Sequence, residues 1–161
     1  MLPVLAVEDH AGDRLVYERF LSGSEFQLLT APDLRRAQEL LGQTMPRVIL
    51  LDLLLGNQDA WKFLAQLKSE ASTSSIPIIV VTSIDDQAKA SALGADAYGI
   101  KPLEKQWLLD QLRRLVHRRT ALIIDDDEAA RYTLKQMLRR AGWNAVEATG
   151  GAEGLAIAGE G

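Results

Sequence analysis

Four apolar runs in this chain end in side chains that can do chemistry. Glu8 and Asp9 follow "PVLAV", Asp52 interrupts "RVILLDLLLG", Thr82 and Ser83 close "IPIIVVT", and Lys101 follows "AYGI". A carboxylate inside an apolar run is costly to bury unpaired, so Asp52 must sit at an open strand end or have its charge compensated. If the three carboxylates meet, they repel and raise one another's pKa unless cations intervene. A divalent metal together with Lys101 balances them. With oxygen ligands and no cysteine in the chain, the expected metal is a hard ion, Mg²⁺.

The elements that must position these residues are legible from periodicity. "PVLAV" reads as a buried strand, with a helix from about Asp13 to Leu21; "FQLLTA" is a second strand, with a helix burying Leu34, Ala37 and Leu41. The strand holding Asp52 leads to a helix through Phe63, Leu64 and Leu67. "IPIIVVT" is entered at Pro77, where a missing N–H is tolerable, and its helix runs through "DDQAKASAL" to a left-handed cap at Gly94. After "AYGI" a last helix carries Leu108, Leu112, Leu115 and Val116 on one face. Five such units in residues 2–119 predict the α/β class, with a flavodoxin-like doubly wound (βα)5 parallel sheet of order 2-1-3-4-5. In that order strands 1 and 3 adjoin at the switch point. The separated polar strand ends then converge on one crevice.

Composition narrows the class. The chain has 161 residues, 47 % hydrophobic and 25 % charged, as in a soluble globular protein. A net charge of -4 argues against a nucleic-acid-binding surface in this segment. The absence of cysteine excludes disulfides and thiolate chemistry. No apolar run approaches the roughly 18–20 residues of a membrane span, and the first residues lack the pattern of a signal peptide. A cytoplasmic protein without membrane partners is the expectation.

Taken together, "VEDH", "LLDLLL", "VVTS" and "GIKPL", in this order and at these strand ends, resemble the receiver domain of two-component response regulators, over residues 2–119. The resemblance implies that Asp52 accepts a phosphoryl group from a phosphohistidine on a sensor histidine kinase or a histidine phosphotransfer protein. It implies that Glu8, Asp9, one Asp52 oxygen and the backbone carbonyl of Leu54 hold the metal. Lys101, aimed inward by a cis peptide before Pro102, neutralises phosphoryl charge; Thr82 moves to donate a hydrogen bond; Tyr98, the switch aromatic, follows into the vacated space. The readout is a population shift in the face made by the fourth helix, fifth strand and fifth helix, through which a homodimer could also form.

Other readings compete. Asp52 could cap a turn, Glu8 and Asp9 could cap the first helix, although Asp13 looks the better cap, and Ser83 with Asp86 could start the fourth helix. A receiver-like interaction module that works without phosphorylation is the main alternative, opposed by the intact set of Asp52, Thr82 and Lys101. A Mg²⁺-dependent phosphatase of similar topology needs a second aspartate two residues after the first, where this chain has Leu54. No G-x-G-x-x-G or P-loop follows any strand. Gly56 and Ala60 depart from the proline and glycine common in the family, changes expected to alter loop stiffness and not chemistry. Ile84, two residues beyond Thr82, predicts slow access of water and a long-lived phosphoryl group.

The chain then begins again. Residues 121–159 repeat the opening at an offset of 117 residues, with Asp125 and Asp126 over Glu8 and Asp9, Arg131 over Arg14, Trp143 over Phe26 and Ala148 over Ala31. We therefore divide the chain into a receiver at 1–119 and a βαβα half of a second such domain at 120–161, without acceptor aspartate, hydroxyl or lysine. So short a unit cannot bury Leu122, Ile123, Ile124, Leu134, Leu138, Trp143 and Val146 alone, which predicts either a longer tandem-receiver protein or pairing with another copy. The fifth helix is expected to reach Arg119 and pass directly into the next strand, giving a stiff relation between the units.

Overall fold

The computed structural model describes residues 1–117, 120–141 and 143–159. They divide into two compact units, Met1–Val116 and His117–Gly161. In the first, the elements run β1 (Leu2–Val7), α1 (Ala11–Leu21), β2 (Phe26–Ala31), α2 (Leu34–Gln43), β3 (Val48–Leu51), α3 (Ala60–Ser69), β4 (Ile78–Thr82), α4 (Gln87–Ala92), β5 (Ala97–Ile100) and α5 (Lys105–Val116). All five strands are parallel, in the order β2-β1-β3-β4-β5 that the alternation of strand and helix predicts.

The apolar runs are nearly continuous because both faces of the sheet are covered. Successive residues point to opposite faces, so Val48 and Leu50 of β3 join Ile79 and Val81 of β4 on one side, against Tyr17 and Leu21 of α1 and Leu108, Leu112 and Leu115 of α5. Ile49, Leu51, Ile78 and Val80 go to the other side, against Ala37 of α2, Phe63, Leu64 and Leu67 of α3 and Ala90 of α4. Each such fully buried large aliphatic is worth about 1.5–3 kcal/mol. Gly99 in β5 is required by this packing: a Cβ there would lie 2.6 Å from the Trp107 ring. Gly94 has φ 97°, the left-handed conformation expected after α4.

The helix starts differ from expectation at two places. α1 begins at Ala11, with His10 at its N-cap and no side-chain capping bond, so Asp13 is a first-turn residue and not the cap. α4 begins at Gln87 behind Asp86, again with no side-chain capping bond, so Ser83 does not start it. Asp33 and Asp59 do cap α2 and α3, accepting from the N–H groups of Arg36 and Lys62. α5 ends at Val116; residues 118 and 119, on which the expected continuous passage to the next strand depended, lie outside the described residues.

The second unit comprises β6 (Thr120–Ile124), α6 (Glu128–Arg140), β7 (Asn144–Ala148) and α7 (Gly151–Gly159). β6 and β7 pair in parallel with Thr120 opposite Asn144, the same 24-residue step that sets Leu2 opposite Phe26 in β1 and β2. The turn after β6 is built like the turn after β1. Arg131 donates to the Asp125 carbonyl as Arg14 does to the Glu8 carbonyl, both at 2.8 Å. α6 buries no residue among its own, and Tyr132, Met137 and Leu155 stand exposed within this unit.

Candidate functional site

Strand register brings the polar ends together. Val7 is opposite Leu51, and the Asp52 N–H donates to the Val7 carbonyl at 3.0 Å, so Glu8 and Asp52 emerge side by side. Thr82 is opposite Ile100, and the Lys101 N–H donates to the Thr82 carbonyl at 2.9 Å. The Lys101–Pro102 peptide is cis, as expected. Glu8, Asp9 and Asp52 each offer an oxygen within 4.8 Å of the others. Such an all-oxygen set, two of its members buried at the carboxyl edge of the sheet, suits a hard divalent cation.

Two of the three carboxylates accept from backbone N–H groups. Asp52 Oδ1 accepts from the Leu54 N–H at 2.9 Å and Glu8 Oε1 from the His10 N–H at 3.0 Å. Arg14 Nη1 donates to the carbonyls of Glu8 at 2.8 Å and Asp9 at 2.7 Å, fixing the turn that presents Asp9. Lys101 Nζ reaches Glu8 Oε2 at 2.7 Å and Asp52 Oδ2 at 2.7 Å. Its third partner went unpredicted: Asp13 Oδ2, at 2.6 Å. An ammonium has three N–H donors, and this count was the available signal that a further acceptor had to be near. Tyr17, also unassigned by the sequence, places its hydroxyl 3.4 Å from Glu8 Oε2.

These surroundings set the ionisation. Burial pushes the Glu8 carboxyl up, against the opposing pull of Lys101 and the His10 N–H. Burial would lower the Lys101 ammonium, but Asp13, Asp52 and Glu8 together raise it, so it is charged throughout the neutral range. Burial also raises the Tyr17 phenol, which therefore remains a neutral O–H.

Thr82 is fully buried, and its Oγ1 accepts from the Ile84 N–H at a long 3.4 Å. Tyr98 is half-buried against the core on the α4 side. Its hydroxyl donates to the Ile84 carbonyl and accepts from the Asp86 N–H at 3.0 Å. Both residues thus engage the loop after β4, Thr82 from the sheet and Tyr98 from the edge strand. Leu54 lies two residues beyond Asp52 with its side chain half-exposed.

The loop after Asp52 takes a course that proline could not. Gly56 has φ 55°, and the turn is closed by the Gln58 N–H donating to the Leu55 carbonyl at 2.9 Å. The φ of proline is held near -65°. Gly56→Pro is therefore expected to cost about 1–3 kcal/mol, read as a lower urea midpoint.

Residues 4–113 match the family described as the response regulator receiver domain. The chain belongs to that family. Among curated relatives, the probable transcriptional regulator ycf27 of Guillardia theta is 32 % identical over 118 residues, covering 71 % of this chain and 45 % of that protein. The receiver domain of a DNA-binding response regulator protein (merR) from Colwellia psychrerythraea 34H is 27 % identical with a TM-score of 0.67, covering 73 % of this chain and 100 % of that one. The receiver domain of sensor histidine kinase PA1611 from Pseudomonas aeruginosa PAO1, solved with a magnesium ion coordinated in its active site cleft, shares the fold at 22 % identity and a TM-score of 0.64, covering 71 % and 97 %. The chain spans about half the length of the first curated relatives it matches. Among the described residues no helix is long and apolar enough to cross a membrane.

Proposed function

We propose that residues 1–119 form the phosphoacceptor receiver of a two-component phosphorelay, working in the cytoplasm with a sensor histidine kinase or a histidine phosphotransfer protein as donor. The observation that carries the reading is Lys101 Nζ, 2.7 Å from both Asp52 and Glu8, beside three acidic residues whose oxygens lie within 4.8 Å of one another. An Asp52 carboxylate oxygen attacks the donor's phosphorus; the P–N bond breaks, the imidazole leaves with its electron pair, and an aspartyl phosphate forms. Glu8, Asp9 and Asp52, with the Leu54 carbonyl, would hold Mg²⁺, which would supply neutralisation of charge on the phosphoryl oxygens. The protein's share is mainly alignment and further charge neutralisation. The Leu54 N–H orients Asp52, Lys101 pairs with a phosphoryl oxygen, and Thr82 turns its hydroxyl from the Ile84 N–H to another. Tyr98, released from the same loop, moves inward and changes the α4-β5-α5 face, the surface offered to an output partner or a second copy.

We further propose that residues 120–161 are the N-terminal part of a second receiver. The common 24-residue register step and the matching Arg14 and Arg131 contacts support this. Its exposed apolar residues suit completion by further chain or by another copy.

The test is intact-protein mass after incubation with acetyl phosphate, with Mg²⁺ or with a chelator. One phosphoryl adduct that requires the metal is expected. No adduct, with beryllofluoride also failing to bind, would leave the phosphorylation-independent interaction module as the better reading.

A further inference from the structure

We infer that Asp13 is a positioning residue that restrains phosphorylation of Asp52, by holding Lys101 in an ion pair that an incoming phosphoryl group must break. The inference rests on the phosphoacceptor reading above and adds a regulator to the same site.

The geometry begins with the donors of one ammonium. Lys101 Nζ has three N–H groups, and Glu8, Asp13 and Asp52 take them at 2.7, 2.6 and 2.7 Å. No donor is left for a phosphoryl oxygen, so one carboxylate must let go. Glu8 and Asp52 are poor candidates: their side chains are 1 % and 5 % exposed, and each is also held by a backbone N–H. The Asp13 side chain is 34 % exposed, and it borders an open cavity of about 360 Å³ shared with Tyr17, Ser83 and Lys101. It can swing into water at small desolvation cost, whereas the other two cannot. The exposed His10 side chain lies near by, its Nδ1 3.9 Å from Asp13 Oδ1.

Charge points the same way. Asp13 is a fourth carboxylate at a site where three are balanced by Lys101 and one divalent cation. With Asp13 present the loaded site is still negative before the phosphoryl group, itself dianionic, arrives. That surplus opposes product formation and is felt most in low salt. Asp13 thus acts through Lys101, and by competition with the product.

The experiment compares the pseudo-first-order rate of phosphorylation by acetyl phosphate, followed by intact mass, in the full chain and its variants. Asp13→Asn is expected to react about three- to tenfold faster than wild type at low ionic strength, with the gain shrinking as salt is added. Asp13→Glu keeps a carboxylate in reach of Lys101 and should stay within about twofold of wild type. In a Lys101→Met background, Asp13→Asn should change the slow residual rate by less than about twofold, because the residue through which it acts is gone. An unchanged or slower Asp13→Asn would overturn the inference while leaving wild-type phosphorylation intact. So would a gain that persists without Lys101, since the effect would then be bulk charge alone. A wild type that accepts no phosphoryl group would instead sink the phosphoacceptor reading, and this inference with it.

Discussion

Asp52→Asn should carry no phosphoryl adduct under conditions in which the wild type carries one. The amide keeps nearly the volume of the carboxylate and can still accept the Leu54 N–H that Asp52 Oδ1 accepts at 2.9 Å, so the loop stays in place. What it lacks is the anionic oxygen that, in the proposed function, attacks phosphorus. Loss of an essential nucleophile removes essentially the whole reaction, a fall of about 10⁴-fold or more that takes the adduct below detection by mass. The same change removes one of the charges crowded at the site, so the variant should unfold at an equal or higher urea concentration than wild type in the absence of metal. A variant that is folded, binds Mg²⁺ and still gains one metal-dependent phosphoryl group would place the acceptor elsewhere.

The second large effect is expected of Lys101→Met, which fills similar volume without the charge. Phosphorylation by acetyl phosphate should slow by about 10²–10³-fold, the usual cost of removing one preorganised donor from developing negative charge. Stability should fall too. Glu8 and Asp52 are buried, and stripping one partner from a buried charge group costs about 3–5 kcal/mol at neutral pH.

The pH dependence has a definite sign. The Glu8 carboxyl is already held above its ordinary value by burial, and loss of Lys101 removes the first of the influences holding it down. A carboxyl raised in the folded state contributes stability that is full below its unfolded pKa and is lost as pH rises through the folded value. The deficit of Lys101→Met should therefore be small in mild acid and grow toward neutrality, as urea midpoints across that range would show. Mg²⁺ should recover part of it at neutral pH, and a deficit independent of both pH and metal would count against the charge argument.

Much of the first unit is written locally. "RVILLDL" and "IPIIVVT" are apolar at consecutive positions because their strands are covered on both sides, and β3 and β4 are buried at every residue. The alternation of such runs with helical periodicity admits few topologies, and the observed order is the one it predicts. Placing Glu8, Asp9, Asp52, Thr82 and Lys101 just at or beyond strand ends needed only the strand boundaries. Helix starts were harder. His10 and Asp86 precede α1 and α4 without a side-chain capping bond, so the capping rule pointed to the wrong residues.

By itself, then, the sequence determined the sheet, its strand order and the set of polar strand ends, since periodicity and boundary residues act within a few positions along the chain. The left-handed turn at Gly56, the hold of Tyr98 on the loop after β4 and the third partner of Lys101 were decided only in the tertiary structure. Asp13 and Lys101 are 88 residues apart. Their contact depends on where α1 begins and on how it packs beside α5, an outcome of three-dimensional packing that no local pattern encodes.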